Sequence, residues 1–573
     1  MRILLLTHAF NSLTQRLEAE LQERGHEISI EFDIADSVAE EAVALFKPQL
    51  IVAPYLRRAI PESIWSRHVC LIVHPGIIGD RGPSALDWAI QDGEAEWGVT
   101  VLQAEAEMDA GPIWASAVFP LRGAKKSSIY RNEFTQAATS AVLQAVERFA
   151  AGDFLPTPLA ECSDARGRLR PLMRQADRTI DWQRDDTTTI LRRINAADGF
   201  PGVADSLFGE PCQIFDAWPE AVLRGAPEAR SGDLLARREG ALLRRTRDGA
   251  LWIGHAKRAG DLKLPATLAF AAVSASLPDA PLNDWWRVKG ETWQDIAYEE
   301  SGGAGFLHFE FYNGAMATAQ CERLREALAW AKQRPIRVLV LMGGTDFWSN
   351  GIHLNVIEAA ESPADESWNN INAMNDLSRE LIETGEQITV AALAGNAGAG
   401  GCFLARATDL VWAREGVILN PHYKNMGNLY GSEYWTYLLP RRMGEIGVGD
   451  KSLEIMRNRQ PLTAQRAAAT EFTDACLAGD AQAFRIDVAR RAAEIAAAPD
   501  LAARLVAKRE RRAQDEAAKP LAAYRDEELA HMRRNFYGFD PSYHVARHHF
   551  VRKSPASWTP RHLARHRDLG WQG

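Results

Sequence analysis

The chain has 573 residues, 46% of them hydrophobic and 25% charged, and a formal net charge of −9. That length exceeds one ordinary core and predicts two or three domains. The acidic balance argues against non-specific nucleic-acid binding, and no apolar run approaches the roughly eighteen residues of a membrane-spanning helix.

In chain order, MRILLLTHAFNS opens with a short apolar run that reads as a first strand, with no cleavage site behind it. Runs at 3–6, 28–32, 50–53 and 71–73 are separated by amphipathic stretches such as 13–24, a βαβ rhythm that predicts an α/β domain with a mostly parallel sheet. Ligands of such sheets sit at the carboxyl ends of strands, where His74 stands, and no G-x-G-x-x-G follows the first strand. From about residue 170 the pattern changes. Thr179-Ile180-Asp181-Trp182 opens a helical stretch ending near Asn195. Strand-like runs at 212–217 and 251–255 then predict a small β-rich domain, and turn-rich residues 274–283 mark a linker. A third region starts near Gly303: a strand at 307–311, a helix at 318–333, strands at 336–342 and 388–393 with glycine-bearing turns behind them, and a charged helical tail beyond Asp450. The boundaries expected are 1–165, 166–272, a linker at 273–295, and 296–573.

Cys70, Cys162, Cys212, Cys321, Cys402 and Cys476 form no C-x-x-C pair, and the late histidines form no H-E-x-x-H. Free thiols in a reducing cytoplasm and no metal site are expected.

Two constellations carry chemistry. In the first, Leu71-Ile72-Val73-His74-Pro75-Gly76 leads to Gly79-Asp80-Arg81-Gly82-Pro83, then Trp88-Ala89-Ile90, Gly98-Val99-Thr100 and Met108-Asp109-Ala110-Gly111. A strand-end imidazole moves protons near neutral pH, and a carboxylate beside it fixes its tautomer. This order of elements resembles the 10-formyltetrahydrofolate-dependent formyltransferases, over about the first half of the chain. Ile180-Asp181-Trp182 and Pro201-Gly202 match the smaller second domain of methionyl-tRNA formyltransferase. The resemblance implies His74 and Asp109 as the catalytic pair, with folate lying near Arg81 and Asp109. It departs at Ile72, where the family carries an Asn that polarises the formyl carbonyl. Gln15 and Arg131 are candidate substitutes for that donor and candidate residues between the two sites.

In the second, Asp346-Phe347-Trp348-Ser349-Asn350-Gly351-Ile352 follows one strand and Ala394-Gly395-Asn396-Ala397-Gly398-Ala399-Gly400-Gly401-Cys402 follows the next. Paired glycine turns expose backbone N–H groups that hold an oxyanion. These segments are similar to the crotonase (enoyl-CoA hydratase/isomerase) family, which implies a coenzyme A pocket with the Ile352 and Gly400 N–H groups around a thioester oxygen. The family's catalytic glutamates fall on Phe403 and Tyr423, so paired-carboxylate hydration is not expected. Glu433, ten residues past Tyr423, offers a carboxylate partner for the phenol.

The order formyltransferase-like domain, small β-rich (OB-like) domain, crotonase-like domain and helical tail resembles the HypX/HoxX family of hydrogenase maturation factors. That resemblance implies formyl transfer from 10-formyltetrahydrofolate to coenzyme A, followed by decarbonylation of formyl-CoA to carbon monoxide, and hydrogenase assembly proteins as partners. Two other readings stay open on the sequence: a formyltransferase acting on an amine, with a coenzyme A-binding partner domain, and a non-enzymatic scaffold that binds both small molecules.

Overall fold

The apolar runs at 3–6, 50–53 and 71–73 form strands whose two sides are both buried, which is why they show no polar alternation, whereas the run at 28–32 alternates as Ile-Ser-Ile-Glu-Phe. In β1 (Arg2–Thr7), β3 (Leu50–Tyr55) and β4 (Cys70–His74), Ile3, Leu5, Val52, Leu71 and Val73 enter one core cluster, while Leu4, Leu6, Ile51, Ala53 and Cys70 enter another. The structure is a computed structural model and describes residues 1–221, 229–282 and 292–568. The chain divides into two units: Met1–Ala280 together with the residues from Pro555 onward, and Pro281–Ser554.

In the first unit, with β2 (Glu27–Phe32), β5 (Glu96–Gln103) and β6 (Ile113–Pro120), the sheet order is β2-β1-β3-β4-β5-β6. The first four strands are parallel, as expected; β5 and β6 are antiparallel, because β5 returns directly across β4 and pairs His74 with Thr100. The helix expected from residue 179 starts at Thr187 instead and runs to Ala197. Asp186 sets that start by accepting a hydrogen bond from the Thr189 N–H at 2.8 Å, which satisfies a donor the helix cannot. A second, antiparallel sheet follows, in the order β7-β8-β11-β10-β9 with β12 beside β11: β7 (Val203–Leu207), β8 (Glu210–Glu220), β9 (Leu234–Arg238), β10 (Ala241–Arg245), β11 (Ala250–Arg258) and β12 (Leu264–Pro265). The expected linker at 273–295 differs in part: Pro278 and Ala280 are hydrogen-bonded to Arg237 of β9 at 2.9 Å each, and residues 283–291 lie outside the described residues.

The expected last domain, 296–573, also ends differently. From Pro555 the chain belongs to the first unit, where it lies along the edge strand β2. The Ile30 N–H donates to the Leu563 carbonyl at 3.0 Å and the Phe32 N–H to Thr559 Oγ1 at 2.9 Å. This covers polar backbone that an edge strand otherwise leaves open.

In the second unit three consecutive parallel strands of a large sheet, 338–341, 388–393 and 410–414, are each followed by a short strand of a small one. The large sheet runs β13-β14-β15-β17-β19-β22, with β13 (Ile296–Ser301), β14 (Ala304–Phe309), β15 (Val338–Leu341), β17 (Ile388–Leu393), β19 (Leu410–Arg414) and β22 (Ala475–Leu477). The small sheet runs β16-β18-β20-β21, with β16 (Phe347–Ser349), β18 (Asn396–Gly398), β20 (Ile418–Asn420) and β21 (Leu462–Thr463). β15 pairs in parallel with β17 and β16 with β18, so the two glycine-bearing turns that follow are stacked side by side. The helices Pro363–Ile382 and Leu521–Tyr537 pack on each other, tied by Arg525 to Asp376 at 2.5 Å.

Candidate active sites

β4 ends on His74, at the carboxyl edge of its sheet. The turn after it is held in place: Trp97 Nε1 donates to the Pro75 carbonyl at 2.8 Å and Thr100 Oγ1 to the Gly76 carbonyl at 2.9 Å. His74 is buried, and its ring lies between two carboxylates. Nδ1 stands 3.5 Å from Asp109 Oδ2, and Nε2 is hydrogen-bonded to Asp80 Oδ1 at 3.1 Å. Asp109 is held from its own side, since its Oδ2 accepts the Gly82 N–H at 3.1 Å. Asp80 is almost fully buried, with the buried Arg170 guanidinium Nε at 3.4 Å from its Oδ2. Thus the expected pair, His74 and Asp109, is brought together. A second carboxylate that the sequence reading passed over sits on the other ring nitrogen. The signal for Asp80 was in the glycines around it: a Cβ on Gly76 would lie 2.5 Å from His74 Nε2 and 2.7 Å from Asp80 Oδ1.

Ile72 shares the His74 side of β4, two residues back, so the missing amide leaves an apolar side chain there. Arg81 flanks the site, with its guanidinium engaged by Glu107. Gln15 lies in the helix Ser12–Glu23 and donates to the Phe10 carbonyl at 2.9 Å. Arg131 lies in the π-helical turn Tyr130–Phe134, which leads into the helix Thr135–Ala151. Those two long helices meet through Arg16 and Gln136, 2.8 Å apart, so Gln15 and Arg131 belong to neighbouring elements of the first unit.

In the second unit the stacked turns place the Gly351 and Gly400 segments against each other: a Cβ on Gly351 would stand 3.3 Å from Gly400 N. Gly400 is the first residue of the helix Gly400–Arg406, a position whose N–H finds no acceptor within its own helix. Glu433 is 1% exposed and reaches this turn, since a Cβ on Gly400 would meet Glu433 Oε1 at 2.5 Å. The Tyr423 hydroxyl donates to Glu433 Oε2 at 2.5 Å, and its oxygen is also 3.0 Å from the Ser432 carbonyl. Phe403, where the crotonase pattern has its first glutamate, stacks on the Tyr423 ring at 5.6 Å and 10°. A Cβ on Gly431 would lie 2.2 Å from that ring, so glycine is needed there.

Burial pushes the Glu433 carboxyl up to about 7, with the Tyr423 hydrogen bond working the other way. Burial and the facing Glu433 raise the Tyr423 phenol well above its ordinary range. The pair therefore consists of a base poised near neutrality and a phenol that stays protonated. Glu433 and Tyr434 both have left-handed backbone, with φ of 60° and 61°. For residues with a Cβ this costs about 1–2 kcal/mol each. Two helices hold the strained pair. Asn375 Oδ1 accepts the Glu433 N–H and the Ser432 hydroxyl, both at 2.8 Å. Glu528, itself raised to about 8 by burial, accepts the Tyr434 N–H at 2.9 Å and the Thr436 N–H at 2.8 Å. Neither Asn375 nor Glu528 carries a motif; both lie on helices remote in sequence from the residues they hold.

Comparison with known proteins agrees with this division. A formyl transferase family model matches residues 26–146, its C-terminal domain model residues 172–272, and an enoyl-CoA hydratase/isomerase model residues 311–560. Methionyl-tRNA formyltransferase of Roseiflexus castenholzii is 33% identical over 241 residues, which are 41% of this chain and 73% of that one. The hydrogenase maturation factor HoxX of Bradyrhizobium diazoefficiens is 55% identical over 569 residues, covering 99% of this chain and 97% of that one. The crystal structure of HypX from Aquifex aeolicus in complex with tetrahydrofolic acid superposes with a TM-score of 0.95 at 46% identity, over the full length of both chains.

By fold and site this is a two-domain formyltransferase unit carried in one chain with a crotonase-type unit. The chain belongs to the HoxX/HypX family of hydrogenase maturation factors. Among the described residues no helix is long and apolar enough to cross a membrane.

Proposed function

We propose that this chain makes carbon monoxide for hydrogenase assembly in two steps: formyl transfer from 10-formyltetrahydrofolate to the thiol of coenzyme A, then decarbonylation of formyl-CoA. The observation that carries the reading is the buried Tyr423–Glu433 pair against the Gly400 turn. That site offers one base and one acid to a thioester instead of two carboxylates to a water. Folate as the donor is supported by the tetrahydrofolic acid bound in HypX and by the formyl transferase match. A thiol acceptor is supported by Ile72, because a thiol ionises far more readily than an amine and needs less help from an oxyanion donor.

In the first step the thiol gives its proton to His74, sulfur bonds to the formyl carbon, and the carbon–N10 bond breaks, with the proton passing to N10. Asp109 stabilises the charged imidazole. Arg81 and Asp109 flank the folate. In the second step the Ile352 and Gly400 N–H groups hold the thioester oxygen, Glu433 takes the formyl hydrogen as a proton, and the carbon–sulfur bond breaks to leave carbon monoxide and a thiolate. Tyr423 protonates that thiolate. The 2.5 Å hydrogen bond between the two then lets the proton on Glu433 return to Tyr423, so each turnover ends as it began.

The test is to incubate the protein with 10-formyltetrahydrofolate and coenzyme A and trap the gas with deoxyhaemoglobin. Carbon monoxide should form only when both substrates are present. Glu433→Gln should accumulate formyl-CoA without releasing gas. A Glu433→Gln protein that decarbonylates synthetic formyl-CoA at the native rate overturns the second step, and folate-dependent gas from His74→Ala overturns the first.

A further inference from the structure

Both ring nitrogens of His74 face carboxylates, and the two contacts are not equivalent. Nε2 to Asp80 Oδ1, at 3.1 Å, is a hydrogen bond; Nδ1 to Asp109 Oδ2, at 3.5 Å, is longer than one. Asp80 is the more deeply enclosed of the two. Its side chain has no exposed surface, and its second oxygen stands 3.4 Å from the Arg170 guanidinium, which is itself fixed to Asp92 at 2.7 Å. A carboxylate oxygen accepts hydrogen bonds, so with Nε2 hydrogen-bonded to Asp80 Oδ1 the proton of a neutral imidazole belongs on Nε2. Nδ1 then carries the lone pair and faces Asp109, the residue that the resemblance places beside the folate. The close approach is built into the chain: Gly76 leaves room for the Asp80–His74 contact, and a Cβ on Gly167 would come within 1.8 Å of Asp80 N.

We propose that Asp80, anchored by Arg170, is a positioning residue that fixes His74 as its Nε2–H tautomer and so makes Nδ1 the atom that takes the thiol proton in formyl transfer. This rests on the reading of His74 as the proton acceptor of the first step. An isosteric change separates the idea from simple loss of packing. In Asp80→Asn the amide oxygen turns to the Arg170 guanidinium, because two donors cannot face each other there. The amide N–H then points at Nε2, which must become an acceptor. The imidazole proton moves to Nδ1, where Asp109 receives it, and Nδ1 no longer has a lone pair for the thiol.

The experiment uses the full chain labelled with ¹⁵N-histidine, with the His74 signals assigned by their loss in His74→Ala. The expected wild-type spectrum has His74 protonated at Nε2 and unprotonated at Nδ1, and Asp80→Asn reverses the two. In the same variant kcat for formyl transfer to coenzyme A falls on the order of 100-fold or more, while KM for 10-formyltetrahydrofolate stays within about 2-fold. Native-like thermal unfolding of Asp80→Asn shows that the loss is not misfolding. If Asp80→Asn keeps the native tautomer, or reverses it without slowing transfer, the positioning role is overturned while the formyl-transfer reading stands. If His74→Ala itself transfers formyl groups at the native rate, the reading of the whole site falls, and this inference with it.

Discussion

Glu433 ties stability to pH through one buried carboxyl. Its folded value is raised from 4.5 to about 7 by burial, so the folded protein holds that proton more tightly than the unfolded chain does. Its contribution to stability is fully present below about pH 4.5 and is lost as pH rises through 7. The penalty above that pH is roughly 3 kcal/mol. Glu433→Gln removes the charge and keeps an acceptor for the Tyr423 hydroxyl. In urea unfolding this variant should exceed the wild type at pH 8 by up to that amount and match it at about pH 4. Equal stabilities at both pH values would mean that the carboxyl is not held protonated by burial. Gly400 gives a second test at this scale. In Gly400→Ala the new methyl falls 2.5 Å from Glu433 Oε1, so the carboxylate must leave the turn. Carbon monoxide release from formyl-CoA should fall on the order of 100-fold, the cost of losing one polar group at a reacting centre, with formyl transfer unaffected.

At the scale of elements, the left-handed pair Glu433–Tyr434 keeps its shape because two helices reach it. Asn375→Ala removes the acceptor of both the Glu433 N–H and the Ser432 hydroxyl, leaving buried donors unsatisfied. Stability should fall by about 2 kcal/mol in urea unfolding, and decarbonylation more steeply than formyl transfer. An unchanged decarbonylation rate would show that the Glu433 backbone holds itself. Here the limits of sequence become physical. Strands β1, β3 and β4 were legible because both faces are buried, which writes unbroken apolar runs. The stacked glycine turns were legible because glycine was required where backbones approach, at Gly351 and Gly401. Two non-glycine residues at positive φ leave no such mark, since the groups that hold them come from helices 58 and 94 residues away. The helix start at Thr187 was missed for a smaller reason: Asp186 caps it, whereas Trp182 turns its indole to Asp205 at 2.9 Å and stays outside.

At the scale of the molecule, the second unit is inserted into the first, which the chain leaves after Ala280 and rejoins at Pro555. Little in the composition of residues 555–568 announces this, because beside the buried Leu563 and Ala564 they dock largely through charge. The anchor is Glu31 on β2, whose side chain is fully buried. It accepts hydrogen bonds from His566 Nε2 at 2.9 Å, from Arg567 Nε at 2.7 Å and from the Thr559 hydroxyl, while the Ser29 hydroxyl and His566 Nδ1 are 2.7 Å apart. Burial works against the Glu31 charge, but the hydrogen bonds from His566, Thr559 and Arg567 outweigh it and hold the carboxyl below its usual range. A depressed carboxyl contributes stability above its unfolded value, and that stability is lost as pH falls through the folded one. Ending the chain after Ser554 removes all three donors and reopens the β2 edge. Unfolding of the first unit at pH 7 should then come roughly 5 °C earlier, with a tendency to aggregate through the bare strand. The gap between full-length and shortened protein should narrow once the pH is lowered past the ordinary carboxylate value of 4.5, because the stability that the depressed Glu31 carboxyl contributes is lost from there downward. Scanning calorimetry of both proteins from pH 3 to 8 measures this, and a gap that stays constant into acid would place the docking energy in the apolar contacts of Leu563 and not in Glu31.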